Sequence, residues 1–284
     1  MAIFSNQATL SYNGNSTNSN IAYGEILDVL VATKTAVEGT YTPGQIVTYV
    51  VTLRNTGTAV LAGLTVTDDL GGYPFNGTTV YPLTYEAGSA TLFTNGVPQP
   101  APDVAAGPPL VFSSITVPAG GDVVLVYQAQ ANAYADPAQG GTIDNTVTVT
   151  GDGLSAPITA TETVNVAVAP DLTISKSITP TQVVDNDRVT YTFVIQNSGN
   201  RAVVATDNAA ITDTFDPILT ALTVTFDGVT WTQGVQYNYD EATGLFTTVP
   251  GQILVPAATY TQDPVTGAYT ANPGIATLVV TGTI

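Results

Sequence analysis

The 284-residue sequence contains no cysteine and no histidine. The first absence excludes disulfides and thiol chemistry. The second removes the commonest general base, and the two together remove the usual zinc ligands. Cations are scarce as well. Lys34, Arg54, Lys176, Arg188 and Arg201 stand against 22 acids, for a formal net charge of −17. Such a surface repels both the phosphates of nucleic acid and anionic lipid head groups, so neither is expected as a partner. The same repulsion keeps a β-rich chain soluble. No apolar run is long enough to span a membrane. Met1 is followed by no basic, hydrophobic leader, and Ile284 ends a strand-like run without an anchor. Export is therefore expected by a route these segments do not show.

Helical periodicity is nearly missing too. The chain is 44% hydrophobic, enough for real cores. Its apolar residues fall in alternating or β-branched runs such as IVTYVVTLRN, GLTVTDDL, DVVLVYQAQ, RVTYTFVIQN and ATLVVTGTI. Gly, Pro, Asn and Asp separate them. Asn95-Gly96, Asp227-Gly228 and the stretch from Asp240 to Gly244 are hairpin signals. Short strands at this spacing predict β-sandwiches.

The chain repeats itself. ATKTAVEGTYTPGQIVTYVVTLRNTG aligns with ISKSITPTQVVDNDRVTYTFVIQNSG, so that Lys34, Tyr49 and Asn55 recur at the same spacing as Lys176, Tyr191 and Asn197. LTVTDDL matches AAITDTF and pairs Asp68 with Asp213. FTNGV matches FDGVT, and ITVPAGG matches ILVPAAT. DVVLVYQA is then set against ATLVVTGT. The first repeat continues into GGTIDNTVTVTGDGLSAPITATETVNV, which has no partner after the second. A similar stretch, FSNQATLSYNGNSTNSNI, starts instead at Phe4. The expected architecture is all-β: two tandem immunoglobulin-like β-sandwich domains with an N-terminal donor hairpin. Residues 1–27 would be the hairpin, 28–168 a complete sandwich, and 169–284 a sandwich lacking its terminal hairpin.

Side chains alternate across a strand. Lys34 therefore shares a face with Leu30, Ala32 and Ala36, and Lys176 with Leu172, Ile174 and Ile178. Asp68 falls with Leu64, Val66 and Leu70, and Asp213 with Ile211 and Phe215. Asn145 falls with Ile143, Val147 and Val149, and Asn6 with Phe4, Ala8 and Leu10. Each repeat thus aims a Lys and an Asp at its core, with an Asn to meet them. Buried unpaired charges cost several kcal/mol, and a repeated cost calls for a gain. An apolar core lowers the pKa of an amine and raises that of a carboxyl. The neutral amine is a nucleophile, and the Asp polarises the Asn carboxamide and moves protons. Attack expels ammonia and leaves a Lys–Asn isopeptide bond, a staple without cysteine.

Lys on the first strand, VTYxxxxxNxG, the TD strand, VPAG and a late NTxTVT strand together resemble the DUF11 conserved-repeat domains of bacterial surface proteins. The resemblance covers nearly the whole chain. It implies tandem immunoglobulin-like modules, some forming intramolecular isopeptides as Gram-positive pilins and adhesins do. Carried over by position, Lys34, Asp68 and Asn145 make an intramolecular triad. Lys176 and Asp213 find their Asn in Asn6 of a neighbouring chain, with Asp68 and Asp213 as the autocatalytic acids.

The expected function is a non-enzymatic structural subunit of an extracellular or spore-surface filament. Its partner is itself, in a head-to-tail, non-closing array built by donor-strand complementation. The alternative is a two-domain adhesin or carbohydrate-binding protein with intramolecular bonds only. A plainer account of the Lys residues makes them edge-strand groups salt-bridged to Asp68 and Asp213. No cofactor and no metal are expected. Asp68-Asp69 and Asp185-Asn186-Asp187 carry the oxygens Ca2+ prefers but match no EF-hand loop. Trp231 and the many Tyr serve either packing or a glycan site.

Overall fold

In IVTYVVTLRN every second residue from Val47 to Asn55 is buried, and those between face outward. The same period of two recurs in Leu61–Asp68, Asp122–Ala131, Thr142–Thr150 and Gly274–Thr283. The computed structural model describes residues 2–26 and 28–284. Among the described residues the only helical element is one turn of 3-10 helix, Ala205–Asp207. Among the described residues no helix is long and apolar enough to cross a membrane. The chain divides into two units, Met1–Asp136 with Thr142–Asn165, and Pro137–Gly141 with Val166–Ile284.

The first unit opens with a long hairpin. Strands β1 (Ala2–Asn6), β2 (Thr9–Tyr12), β3 (Asn15–Asn18) and β4 (Ala22–Ile26) pair β1 with β4 and β2 with β3. Asn13 (φ 46°) and Gly14 (φ 78°) form its tip, the left-handed pair that a two-residue hairpin turn requires. Near the base, Phe4 lies across from Gly24. A Cβ on Gly24 would stand 2.2 Å from the Phe4 ring, so only glycine fits beneath it. Phe4, Leu10 and Tyr12 are all more than half exposed.

The sandwich of the first unit begins with β5 (Leu30–Ala36), β6 (Thr40–Tyr41), β7 (Ile46–Asn55) and β8 (Leu61–Asp68). A small side hairpin, β9 (Tyr73–Phe75) and β10 (Thr78–Val80), and β11 (Leu83–Tyr85) follow. Next come β12 (Thr91–Thr94), β13 (Val97–Gln99), β14 (Asp103–Ala105) and β15 (Leu110–Val117). The unit closes with β16 (Asp122–Ala131), β17 (Thr142–Thr150) and β18 (Ile158–Val166). One sheet runs β13-β12-β16-β7-β5, with β11 also on β16; the other runs β14-β15-β8-β17-β18-β6. Between them pack Val51, Leu53, Leu64, Val66, Phe112 and Leu125, all fully buried.

The second unit has β19 (Leu172–Thr179), β20 (Arg188–Asn197), β21 (Thr212–Thr214), β22 (Thr220–Phe226) and β23 (Val229–Trp231). These are followed by β24 (Tyr237–Asp240), β25 (Leu245–Thr248), the side hairpin β26 (Thr259–Gln262) and β27 (Tyr269–Asn272), and β28 (Gly274–Thr283). Its larger sheet, β19-β20-β28-β22-β23, repeats β5-β7-β16-β12-β13 strand for strand. Both units are immunoglobulin-like β-sandwiches. Both also use Asn at the same corner. Asn55 and Asn197 are fully buried and bridge backbone, each donating to a carbonyl four residues on and accepting from the glycine two residues on.

The second sheets differ. In the first unit β8 is flanked by β15 and β17. In the second, β21 pairs with β25 on one side. On its other edge no strand is found among the described residues. β17 and β18 have no counterpart there, and β19, which the missing layer would cover, is exposed along its whole length.

The register corrects one alignment. Tyr127 sits opposite Tyr49, and Val280 sits opposite Tyr191. Tyr127 therefore corresponds to Val280, one position from the residue that matching DVVLVYQA with ATLVVTGT assigns. Because side chains alternate along a strand, a slip of one position exchanges the inward and outward faces.

Candidate functional site: two lysine–aspartate pairs

β5 ends its sheet, yet the Lys34 side chain is wholly buried, because β17 and β18 of the facing sheet lie over it. Its Nζ donates to Asp68 Oδ2 at 2.7 Å. Tyr127 donates its hydroxyl to the same oxygen, and the Leu70 amide donates to Oδ1 at 2.7 Å. The Asp68 carboxylate is thus bound on both oxygens. Burial pushes the Lys34 amine below its ordinary pKa, and the adjacent Asp68 opposes that shift.

β17 pairs Val147 with Asp68, so Asn145 comes one same-face position further along the strand. It is fully buried. Its carboxamide lies beside the hydroxyls of Tyr49 and Tyr127. Burial raises both phenols' pKa, and Asn145 counters this slightly in each. Among the described residues, however, neither polar atom of Asn145 completes a hydrogen bond, and neither does the Tyr49 hydroxyl. Lys34 Nζ stands 4.7 Å from the centre of the Tyr49 ring and 6.0 Å from that of Tyr127. Lys34, Asp68, Asn145 and the two tyrosines therefore form one dry cluster between the sheets.

The second unit holds half of this arrangement. Lys176 Nζ is hydrogen-bonded to Asp213 Oδ2, and the Thr214 amide donates to Oδ1 at 2.9 Å. Three rings surround the amine, those of Tyr191 at 4.5 Å, Phe215 at 5.3 Å and Phe193 at 5.4 Å. Val280 stands where the first unit has Tyr127, and Phe215 follows Asp213 as Leu70 follows Asp68. The Lys176 side chain is 39% exposed, against 0% for Lys34. The site is open on the side where β17 closes the other.

Asn6 ends β1, opposite Ala22, and is exposed. Within β1 it shares a face with Phe4 and alternates with Ser5, and within β2 Leu10 and Tyr12 share a face and alternate with Thr9 and Ser11. Asn145 is set in β17 in the same manner, with Ile143, Val147 and Val149 inward and Thr146 and Thr148 turned away.

The remaining acids have structural work. Asp69 Oδ1 accepts from the amides of Gly71 and Thr146 at 2.9 Å each, and Asp187 from Val184 at 2.9 Å. Among the described residues no three acids converge on a metal position. Trp231 stacks on Phe226, with ring centres 5.0 Å apart. The two tyrosines of the buried cluster were not among the residues the sequence singled out. Tyr49 had a signal in the recurring VTY, but Tyr127 has no tyrosine counterpart in the second repeat, where Val280 stands.

No family model matches the chain, and no curated protein matches it. Similar solved structures exist. A 35 kDa C-terminal fragment of the major pilin GBS80 of Streptococcus agalactiae is 12% identical, with 87% of this chain and 91% of the fragment covered and a TM-score of 0.36. The pilus backbone RrgB of Streptococcus pneumoniae is 13% identical over 86% of this chain and 55% of its own, with a TM-score of 0.34. The collagen-binding domain of a Staphylococcus aureus adhesin is 10% identical over 46% of this chain and 95% of its own, with a TM-score of 0.31. What the chain shares with these proteins is a β-sandwich architecture.

Proposed function

We propose that the protein is a structural subunit of a bacterial surface fibre, on a cell or a spore. In this reading, residues 2–26 of one copy dock on the open edge of β21 in the second unit of the next. The observation that carries it is the match between two surfaces. The second unit leaves one edge of β21 without a strand among the described residues and exposes Leu172, Ile174 and Ile178 beside Lys176. The hairpin exposes Phe4, Leu10 and Tyr12, and strict alternation from Asn6 would set all three on the Asn6 face with a polar row on the other, the pattern of β17. A two-stranded hairpin alone is marginal in water and gains from joining a sheet. Each aliphatic or aromatic side chain fully covered contributes about 1.5–3 kcal/mol before the cost of association. Only residues 27–29 separate β4 from β5, so the arm is held close to its own first unit. The contact is head-to-tail and does not close on itself, which makes a filament.

The chemistry follows from the two clusters. In the first unit Lys34 bonds to Asn145, with Asp68 as the proton acceptor. In the second, Lys176 bonds to Asn6 of the docked copy, with Asp213 in the same part. The reaction is made once per site and does not turn over.

The test is to boil the purified protein in SDS with reductant. A ladder of multiples is expected. A single monomer band at every protein concentration overturns covalent polymerisation. Deleting residues 2–24 should abolish the ladder while the first unit stays folded; a ladder that survives the deletion removes the hairpin from the assembly. Loss of ammonia in a chain that remains monomeric would place Asn6 on its own second unit, or leave the Lys34–Asn145 bond alone.

A further inference from the structure

We propose that the Tyr49 hydroxyl donates the hydrogen bond that holds the oxyanion during formation of the Lys34–Asn145 bond, and that Tyr191 does the same for Lys176. This rests on the isopeptide reading above and names a catalytic group for it.

Three observations converge on Tyr49. It is fully buried, and its hydroxyl has no hydrogen-bond partner among the described residues. Desolvation without a partner is unfavourable, so the group calls for a reason. It lies beside the Asn145 carboxamide, close enough for that group to oppose the rise in the phenol's pKa, yet no hydrogen bond of full geometry joins the two. Its ring lies under Lys34 Nζ, 4.7 Å from the centre. One side chain thus touches both reacting groups. Tyr127 is not available for this part, because its hydroxyl is already given to Asp68.

The steps balance. The Lys34 ammonium gives one proton to Asp68 Oδ2. The neutral amine attacks Asn145 Cγ, and the carbonyl electron pair moves to Oδ1. A second proton passes from Nζ to Nδ2, which leaves as neutral ammonia when the carbonyl re-forms. Asp68 keeps the first proton, so neither charge remains. As Cγ becomes tetrahedral, Oδ1 leaves the carboxamide plane and gains charge. A donor that is idle in the ground state and engaged only at that moment accelerates the step without tightening the reactant. Tyr191 recurs at the same place, with its ring 4.5 Å from Lys176 Nζ, although Tyr127 does not recur. The phenol common to both sites is therefore the one beneath the lysine.

The experiment is Tyr49→Phe in the full chain, followed by intact mass over time and by a thermal melt. Removing an unpartnered hydroxyl should leave folding unimpaired, while ammonia loss from the first unit slows by about 10²–10³-fold, the usual effect of losing one oxyanion donor. Ammonia lost as fast and as fully as in the parent overturns the proposal, as does a variant that fails to fold, since that would mean the hydroxyl has a partner. A parent chain that keeps its full sequence mass instead overturns the isopeptide reading itself. Tyr191→Phe supplies the second measurement. Fibres should still form, and the SDS-resistant ladder should weaken; an unchanged ladder counts against the assignment.

Discussion

Leu30 and Leu172 hold the same place in the two repeats, but Leu30 is 4% exposed and Leu172 is 41% exposed. The flanking strands are paired alike, Leu30 with Asn55 and Leu172 with Asn197. The difference lies outside that pairing: β17 of the facing sheet packs on β5, and the second unit has no counterpart of β17 among the described residues.

The two faces of the N-terminal hairpin should respond differently to charge. Leu10→Asp puts a carboxylate on the Asn6 face and should abolish assembly. Thr9→Asp puts it on the polar face and should leave assembly intact. Sedimentation of both variants at equal concentration decides the matter; equal effects would mean that the apolar face is not the docking face.

Lys176→Ala removes the nucleophile of the open site, and Asp213→Ala removes its proton acceptor. Both should still give fibres under the electron microscope, held by docking alone, and these should dissolve to monomers in hot SDS. A ladder from either variant would move the intersubunit link elsewhere.

Asp68→Ala leaves Lys34 buried without its carboxylate. Breaking one member of a buried pair costs about 3–5 kcal/mol, and the covalent staple is lost at the same time. Denaturation in urea should show the first unit weakened by at least that much, with no ammonia lost on mass analysis. Asp69→Ala, one residue along, should not block ammonia loss, because its carboxylate serves only backbone amides.

Alkaline stability should track the buried phenols. Burial raises the pKa of Tyr49 and Tyr127 above the ordinary 10.0. Above pH 10 the folded unit therefore binds more protons than the unfolded chain. Stability is complete below that pH and falls as pH rises, by about 1.4 kcal/mol per pH unit for each phenol still protonated in the fold. Lys34, shifted downward, has the opposite sign while it is free, and drops out once bonded. Urea titrations from pH 9 upward should show Tyr49→Phe flattening the decline, about one phenol's share of the slope. An unaltered slope would mean that Tyr49 ionises in the folded state.

The repeat, the strands and the Lys–Asp pairing were legible because alternation is strict and lysine is rare. Two lysines at matched positions on apolar faces leave little freedom for their partners. The tyrosines were less legible, because a phenol on an inward face looks like any other core ring until its hydroxyl is located. Tyr127 was lost for a further reason. Its place in β28 is taken by Val280, so the repeat holds no recurring tyrosine to mark it. The openness of the Lys176 site was legible in the repeat, since the second copy of the pattern has no partner for the stretch that forms β17 and β18 in the first.

The lysines stand on the first strand of each unit, and this fixes where a stretched fibre would carry its load. With both bonds formed, tension passes along residues 6–34, crosses to Asn145, follows residues 145–176, and leaves through Lys176 into the next copy. Residues 35–144 and 177–284 hang outside that line. The hydrogen-bonded sheets would then act as the mould in which the links are cast, and most of each sandwich would never feel the pull. What can still lengthen is residues 7–33 and 146–175, the hairpins themselves, which would serve as the springs of an otherwise inextensible cable.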